Sequence, residues 1–290
     1  MPLKCFTIIT HEDGYYDILK QSCKRHKINL DVIGYGLKYE SHLYKTYKSI
    51  EYLKSQKPDD IILFIDGFDS IVLEDADVIE NKFKDMKLPF IFSEDLNYTF
   101  KKKCLLNLFL TFNYTNNFIF NNLMRNARPC KQDNIVKYIN SGLYIGYARQ
   151  LLNLFNFSIY FISPHNNTSN QRVLQDMCNK NIKINTDKDK ILFNNFTNRD
   201  KVELMNDKIK INNKFSCIIS KPGLGNLDKI AKYLNYNLSK IKKRNVIKYY
   251  YNGPNKSVFI LYCLLLICIL LYFTHIILLK VNNTKNFYWK

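Results

Sequence analysis

Ile61-Ile62-Leu63-Phe64-Ile65-Asp66-Gly67-Phe68-Asp69 is a continuous apolar run that ends abruptly in two carboxylates three residues apart. β-Branched residues without polar alternation read as a strand buried on both faces of a parallel sheet. The two aspartates then sit at its carboxyl end, where open α/β sheets bind their ligands. Two hard oxygen donors on one tight turn suit a divalent cation held against a diphosphate. Asp also caps strands that break into turns, so the pair has a purely structural reading as well.

The segments before this run set the fold class. Leu3 to Thr10 reads as a strand, Tyr15 to His26 as a helix, Leu30 to Tyr35 as a strand and Tyr44 to Gln56 as a helix. The resulting β-α-β-α-β order predicts an α/β, Rossmann-like, mainly parallel sheet with right-handed crossovers and flanking helices. No GxGxxG follows the first strand, which disfavours a dinucleotide fold of the usual kind. After Asp69 come a helix from Ala76 to Met86 and a strand, Pro89 to Phe92, that ends in Ser93-Glu94-Asp95. Asn97 to Asp133 has weak periodicity and reads as an irregular insertion. Asn140-Ser141-Gly142 reads as a polar turn that leads a strand through Gly146, and Gln171 opens a helix through Met177. Two stretches, Ile182 to Asp187 and Ile191 to Asn195, follow. The chain then passes Phe215 to Ser220, the turn Pro222-Gly223-Leu224-Gly225 and a basic amphipathic helix.

Composition bounds the function classes. With 290 residues and 47% hydrophobic content the chain can bury a sizeable core. A formal charge of +18, from 43 Lys and Arg against 25 Asp and Glu, attracts phosphate in any form. No zinc-finger spacing, RNP-like aromatic motif or basic recognition helix accompanies that charge, so nucleic-acid binding is disfavoured. The eight cysteines are widely spaced with no CxxC pair, which indicates neither a zinc site nor a small disulfide scaffold. Val258 to Leu279 gives 22 residues without a formal charge. At about 1.5 Å per residue that length crosses a hydrocarbon core of about 30 Å as one transmembrane helix.

Six basic residues between Lys240 and Lys256 precede the span and three follow it. The positive-inside rule then predicts a tail-anchored, single-pass protein with a cytosolic N-terminal domain. The sequons at Asn97, Asn113, Asn195 and Asn237 would favour the secretory lumen if used, although such motifs arise by chance in an Asn-rich chain. The expected division is a transferase-like domain at 1–235, a basic linker at 236–257, the span at 258–279 and a tail at 280–290.

The order of motifs resembles the glycosyltransferase domain of the procollagen-lysine hydroxylases and its viral relatives, a GT-A type fold that uses UDP-sugars. Phe64-Ile65-Asp66-Gly67-Phe68-Asp69 looks like the family's Phe-x-Asp-x-Tyr-Asp, and Phe92-Ser93-Glu94-Asp95 is similar to its Phe-Ser-Ala-Glu. Asn140 to Gly146 resembles its Asn-Ser-Gly-Gly-x-Ile-Gly. Asn170-Gln171 falls where the family has Asp-Asp-Gln, and Asp187 with Leu192 to Asn195 resembles its Leu-Asp and Ile-Phe-Gln-Asn. The resemblance covers roughly Leu3 to Asn235.

That resemblance implies metal-dependent transfer of glucose or galactose from a UDP-sugar to an acceptor hydroxyl on protein or glycan. Asp66 and Asp69 would bind Mn²⁺ or Mg²⁺, and Asn140, Ser141 and Gln171 would position sugar or acceptor hydroxyls. Asp95, Asn140 and Asp187 would be the catalytic residues, the two carboxylates standing near the donor sugar; for Asp187 a structural capping role is the competing reading. Two departures stand against activity. Thr168-Ser169-Asn170 replaces the family's aspartate run, and Ser220-Lys221-Pro222-Gly223-Leu224-Gly225 replaces its late His-Gly-x-Gly turn. Lys221 could meet the diphosphate there as a point charge. The alternative is an inactive, membrane-anchored binding or structural relative.

Overall fold

A computed structural model describes residues 3–39, 43–94, 130–132, 135–162, 169–205, 208–223, 225–239, 241, 271, 272 and 274. The chain divides into two units, residues 1–243 and residues 244–290. In the first, β1 (Lys4–Ile8), α1 (Tyr16–Arg25), β2 (Leu30–Ile33), α2 (Tyr44–Lys54) and β3 (Ile61–Ile65) follow in the expected alternation. β4 (Ser70–Val72), α3 (Ala76–Asp85) and β5 (Phe90–Glu94) come next. Beyond them lie a short hairpin of β6 (Cys130–Gln132) and β7 (Ile135–Lys137), then β8 (Ile139–Tyr147), α4 (Ala148–Ser158) and α5 (Asn170–Asn179). The unit finishes with β9 (Phe193–Asn195), the hairpin β10 (Val202–Met205) and β11 (Lys208–Ile211), β12 (Ile218–Ser220) and α6 (Asp228–Tyr233).

The main sheet has the order β2-β1-β3-β8-β5. β1 pairs in parallel with both β2 and β3, whereas β8 runs antiparallel to β3 on one side and β5 on the other. The sheet is therefore mixed, a single reversed strand inserted among four that point the same way. The expectation of a mainly parallel sheet missed that reversal, because an apolar strand sequence does not reveal its direction.

Every residue of β3 is buried, as its unbroken apolar run requires. Its side chains alternate between two cores. Ile62 and Phe64 join Phe6, Phe92, Tyr144, Leu151 and Phe155 beneath α2, α4 and α5. Ile61, Leu63 and Ile65 join Leu19, Val72, Phe83, Leu143 and Ile218 on the opposite face, with α1, α3 and a second sheet. That second sheet, β4-β12-β9, pairs β12 antiparallel to β4 and parallel to β9. It carries the chain that follows Asp69 across to the late loop after Ser220. At about 0.8 kcal/mol per buried methylene, burial on both faces makes β3 one of the most strongly held elements, so the carboxylates at its end sit on a rigid base.

Three further findings separate structure from expectation. Asn140-Ser141-Gly142 lies inside β8 rather than in a turn before it. Of the Ile182 to Asp187 stretch, Thr186 makes a single parallel bridge to Phe92, which widens the sheet beyond β5. Cys130 and Cys178 form a disulfide, with their Cα atoms 5.6 Å apart, that ties β6 to the end of α5.

No helix among the described residues is long and apolar enough to cross a membrane. The span expected at 258–279 falls outside them except for Leu271, Tyr272 and Thr274, which are helical. The expected insertion at 97–133 likewise falls outside, except for 130–132.

Candidate active site

Asp66 is the first residue beyond β3, and its backbone N–H donates to the Gly142 carbonyl at 2.7 Å. The turn that follows closes tightly on β1. A Cβ on Gly67 would stand 2.5 Å from Ile9 Cγ2 and 3.0 Å from Thr7 Oγ1, so only glycine lets Asp66 and Asp69 share that turn. Asp66 Oδ1 accepts from the Phe68 N–H at 3.4 Å.

Asp66 Oδ2 accepts from the Lys45 ammonium at 2.5 Å, in a pair that is about four-fifths removed from solvent on both sides. Burial alone would depress the lysine, yet Asp66, with Tyr39 and Asp69 further off, raises it above its ordinary value. Lys45 was not singled out from the sequence, although a signal for it existed. A crossover helix enters at the carboxyl edge of a parallel sheet, so a cation in the first turn of α2 belongs beside whatever terminates β3.

Asp69 is held from the other side. Its Oδ1 accepts from Ser220 Oγ at 3.1 Å and Ser70 Oγ at 3.4 Å, and its carbonyl accepts from the Lys221 N–H at 2.9 Å. The late loop is thus registered directly against the aspartate turn. Lys221 Nζ donates to the Asn226 carbonyl at 2.9 Å and lies 5.3 Å from the centre of the Phe196 ring. Burial lowers its pKa from the usual lysine value, with no carboxylate opposing that effect among the described residues.

β8 and α5 form the remaining wall. Asn140 and Ser141 are both buried. Asn140 Oδ1 accepts from the Gly142 N–H at 2.7 Å and from Ser93 Oγ at 3.2 Å, so its carbonyl oxygen faces the protein. Ser141 Oγ donates to Asn170 Oδ1 at 3.0 Å. Ser169 caps α5 by accepting from the Arg172 N–H at 3.3 Å, which places Asn170 and Gln171 in the first helical turn. Where the family has an aspartate, Asn170 therefore holds Ser141 by a neutral hydrogen bond.

Asp187 departs from the expected role. It is 2% exposed, and its two oxygens accept from the Ile191 N–H at 3.0 Å and the Leu192 and Phe193 N–H groups at 2.7 Å each. Burial pushes its pKa up against the opposing pull of those amides. The geometry gives this carboxylate to the entry of β9 rather than to a substrate, in line with the capping reading. Asp95 lies outside the described residues. Its neighbour Glu94 accepts from Thr186 Oγ1 at 2.5 Å.

Among the described residues, no group of three or more His, Cys, Asp or Glu side chains is placed to hold a metal. Two carboxylates on one turn still fit a divalent cation of the magnesium or manganese kind, because such ions are commonly held by one or two carboxylates together with substrate phosphates.

Residues 1–118 match the family described as the PLOD GT domain. That stretch contains Lys45, Asp66 and Asp69, whereas Asn140, Asn170, Asp187 and Lys221 lie beyond it. No curated protein matches the chain. Among solved structures, a glycosyltransferase involved in glycosylation of the major capsid of PBCV-1 is similar with a TM-score of 0.44 at 11% identity, over 81% of this chain and 99% of that one. The galactosyltransferase LgtC in complex with donor and acceptor sugar analogs gives 0.40 at 10% identity, over 76% and 87%. The WbbM bifunctional glycosyltransferase gives 0.40 at 13%, over 77% and 46%. Likenesses at this level carry no weight on chemistry. The match over residues 1–118 shows that this stretch is similar to the glycosyltransferase domain of the procollagen-lysine hydroxylases, the family its motifs resemble.

Proposed function

We propose that this protein is a glycosyltransferase that moves a hexose, glucose or galactose, from a UDP-sugar to an acceptor hydroxyl with the help of Mn²⁺ or Mg²⁺. The observation that carries this reading is the rigid Asp66/Asp69 turn at the carboxyl edge of the sheet, with the Lys45 ammonium against one carboxylate. A divalent ion bound there would neutralise the diphosphate and make it a better leaving group. The chain's own contribution is positional. β3 and the Gly142 carbonyl fix Asp66, Ser220 and Ser70 fix Asp69, and neither carboxylate must reorganise when charge develops on the donor.

Two cations extend the same logic. Lys45, paired with Asp66, can turn its ammonium to a phosphate oxygen. Lys221, registered against Asp69 and without a carboxylate partner among the described residues, supplies a second positive charge at the turn where the family has its histidine. Ser141 on β8, with Asn170 and Gln171 in the first turn of α5, would read sugar hydroxyls.

Membrane attachment through residues 258–279 is part of the proposal and rests on their apolar length. For the side of the membrane, the Cys130–Cys178 disulfide favours an oxidising compartment and weighs against the cytosolic placement read from the flanking charges.

Thermal unfolding of the full chain with UDP, in the presence of Mn²⁺ or of EDTA, tests the donor site. A ligand that binds only the folded state raises the melting temperature, by about 2.7 kcal/mol of stability at a hundred times its Kd. Metal-dependent stabilisation by UDP supports the reading. Its absence in both conditions favours the inactive, binding or structural alternative.

A further inference from the structure

The pairing of β5 with β8 contains a break whose position bears on the site. Phe90, Ile91 and Phe92 pair with Gly146, Ile145 and Tyr144 in regular antiparallel register, yet the next residue, Ser93, pairs with Asn140 and Glu94 with Ile139. Ser141, Gly142 and Leu143 therefore have no partner on β5 and form a bulge. On its other side β8 keeps its pairing with β3, through Ile65 with Leu143 and then through the Asp66 N–H on the Gly142 carbonyl. The bulge is thus the part of β8 that reaches the aspartate turn, and bulges beside functional sites commonly re-aim the backbone in this way.

A short chain of buried polar groups closes its base. Asn195 Nδ2 donates to Ser93 Oγ at 3.1 Å and to the Glu94 carbonyl at 2.9 Å. Ser93 Oγ donates to Asn140 Oδ1 at 3.2 Å, and the same oxygen accepts from the Gly142 N–H at 2.7 Å. Ser93 is fully buried, and Asn140 and Asn195 nearly so. A side chain at position 142 would meet Asn140 Oδ1 at 2.9 Å and come within 3.6 Å of Asp66 Cβ. The loop of contacts therefore runs from β9 through β5 and β8 to the main chain of Asp66.

We infer that Asn140, Ser93 and Asn195 are positioning residues that staple the β8 bulge and thereby set the geometry of Asp66. Asn140 acts through its carbonyl oxygen on the backbone of its own strand, which differs from the direct sugar contact expected from the motif. Ser93 touches no substrate in this account, being enclosed between β5, β8 and β9. The inference rests on the donor-site reading above for its consequence, because a staple on Asp66 matters to catalysis only if Asp66 binds the metal and diphosphate. Its structural half stands independently.

The test uses the full chain and three variants, Ser93→Ala, Asn140→Ala and Asn140→Asp, each first checked for folding by circular dichroism. Hydrogen exchange at the Asp66 amide reads the staple without any ligand. Ser93→Ala and Asn140→Ala should speed that exchange, while Asn140→Asp, whose carboxylate still accepts from Gly142 and Ser93, should stay closer to the parent. Unchanged exchange in both alanine variants would overturn the inference. Titration with Mn²⁺ and UDP then reads the consequence. Removing a group that orients a metal ligand lowers metal affinity by about 10- to 100-fold, and that loss is expected in Asn140→Ala and, to a smaller degree, in Ser93→Ala. An Asn140→Asp variant that loses as much UDP affinity as Asn140→Ala, with normal exchange at Asp66, would assign Asn140 to direct substrate contact and overturn the positioning role. A parent chain that binds no UDP while the alanine variants still speed exchange would leave the staple standing and remove the donor-site reading instead.

Discussion

Replacing Lys45 by Met leaves the Asp66 carboxylate in a partly buried position without the ammonium that it accepts from. The structure sets the size of the effect. The pair is 2.5 Å apart with each side chain about one-fifth exposed, so it stands between a surface ion pair and a fully buried one. A hydrogen bond to a charged group contributes about 1.5–3 kcal/mol, and we expect a loss of about 2 kcal/mol. For a domain of this size that corresponds to a fall of about 4–8 °C in melting temperature.

The decisive assay is a double-mutant cycle with Asp66→Asn. If the two groups act on each other, the double variant loses less than the sum of the single losses, by about 1–2 kcal/mol. The coupling also carries a pH signature. Because the folded-state pKa of Lys45 lies above its unfolded value, the stabilisation is complete below about 10.4 and disappears as pH rises through the folded value. The gap between parent and Lys45→Met should therefore close in the alkaline range and stay open at neutral pH. Additive losses within about 0.5 kcal/mol, or a gap independent of pH, would refute the reasoning.

Other outcomes follow from the same geometry. Asp69→Asn should lower turnover by about 10²-fold or more with the fold retained, measured as UDP release, because one of two charges facing the metal and diphosphate is removed. Asp187→Ala orphans three backbone N–H groups at the entry of β9. Calorimetry should show a loss of about 3 kcal/mol, and any fall in activity should track the folded fraction. Reducing Cys130–Cys178, or replacing both by Ser, frees a loop with a sequence separation of 48. The chain-entropy model gives about 4 kcal/mol for that loop, visible as a lower denaturant midpoint, and no change on reduction would mean that the thiols are not joined in the protein as isolated.

How much of this was legible in the sequence depends on the kind of signal. The first five elements were readable because β3 is apolar without interruption and the helices between strands carry amphipathic periods. The helices at 16–25, 44–54 and 76–85 match the expected ones to within a residue or two. The direction of β8 was not readable, since an apolar strand looks the same whether its neighbours run with it or against it. Asn-Ser-Gly has the composition of a turn, but its pairing with neighbouring strands places it within β8, at a bulge.

The site divides along the same line. Asp66 and Asp69 are local, on one turn, so the sequence alone places them together. Lys45 lies 21 residues away, and only the topology of the crossover brings it to Asp66. Asp187 shows the converse. Its motif looked catalytic, but three neighbouring amides take its oxygens, a contact set that no spacing rule reveals.

The most direct test of the central claim is release of UDP from UDP-glucose and UDP-galactose by the full chain in detergent, with Mn²⁺ or EDTA, beside Asp66→Asn. Release from one of the two donors is expected, requiring the metal and falling by about 10²-fold or more in the variant. Release that is indifferent to both EDTA and Asp66→Asn, or no release from either donor, would contradict that claim.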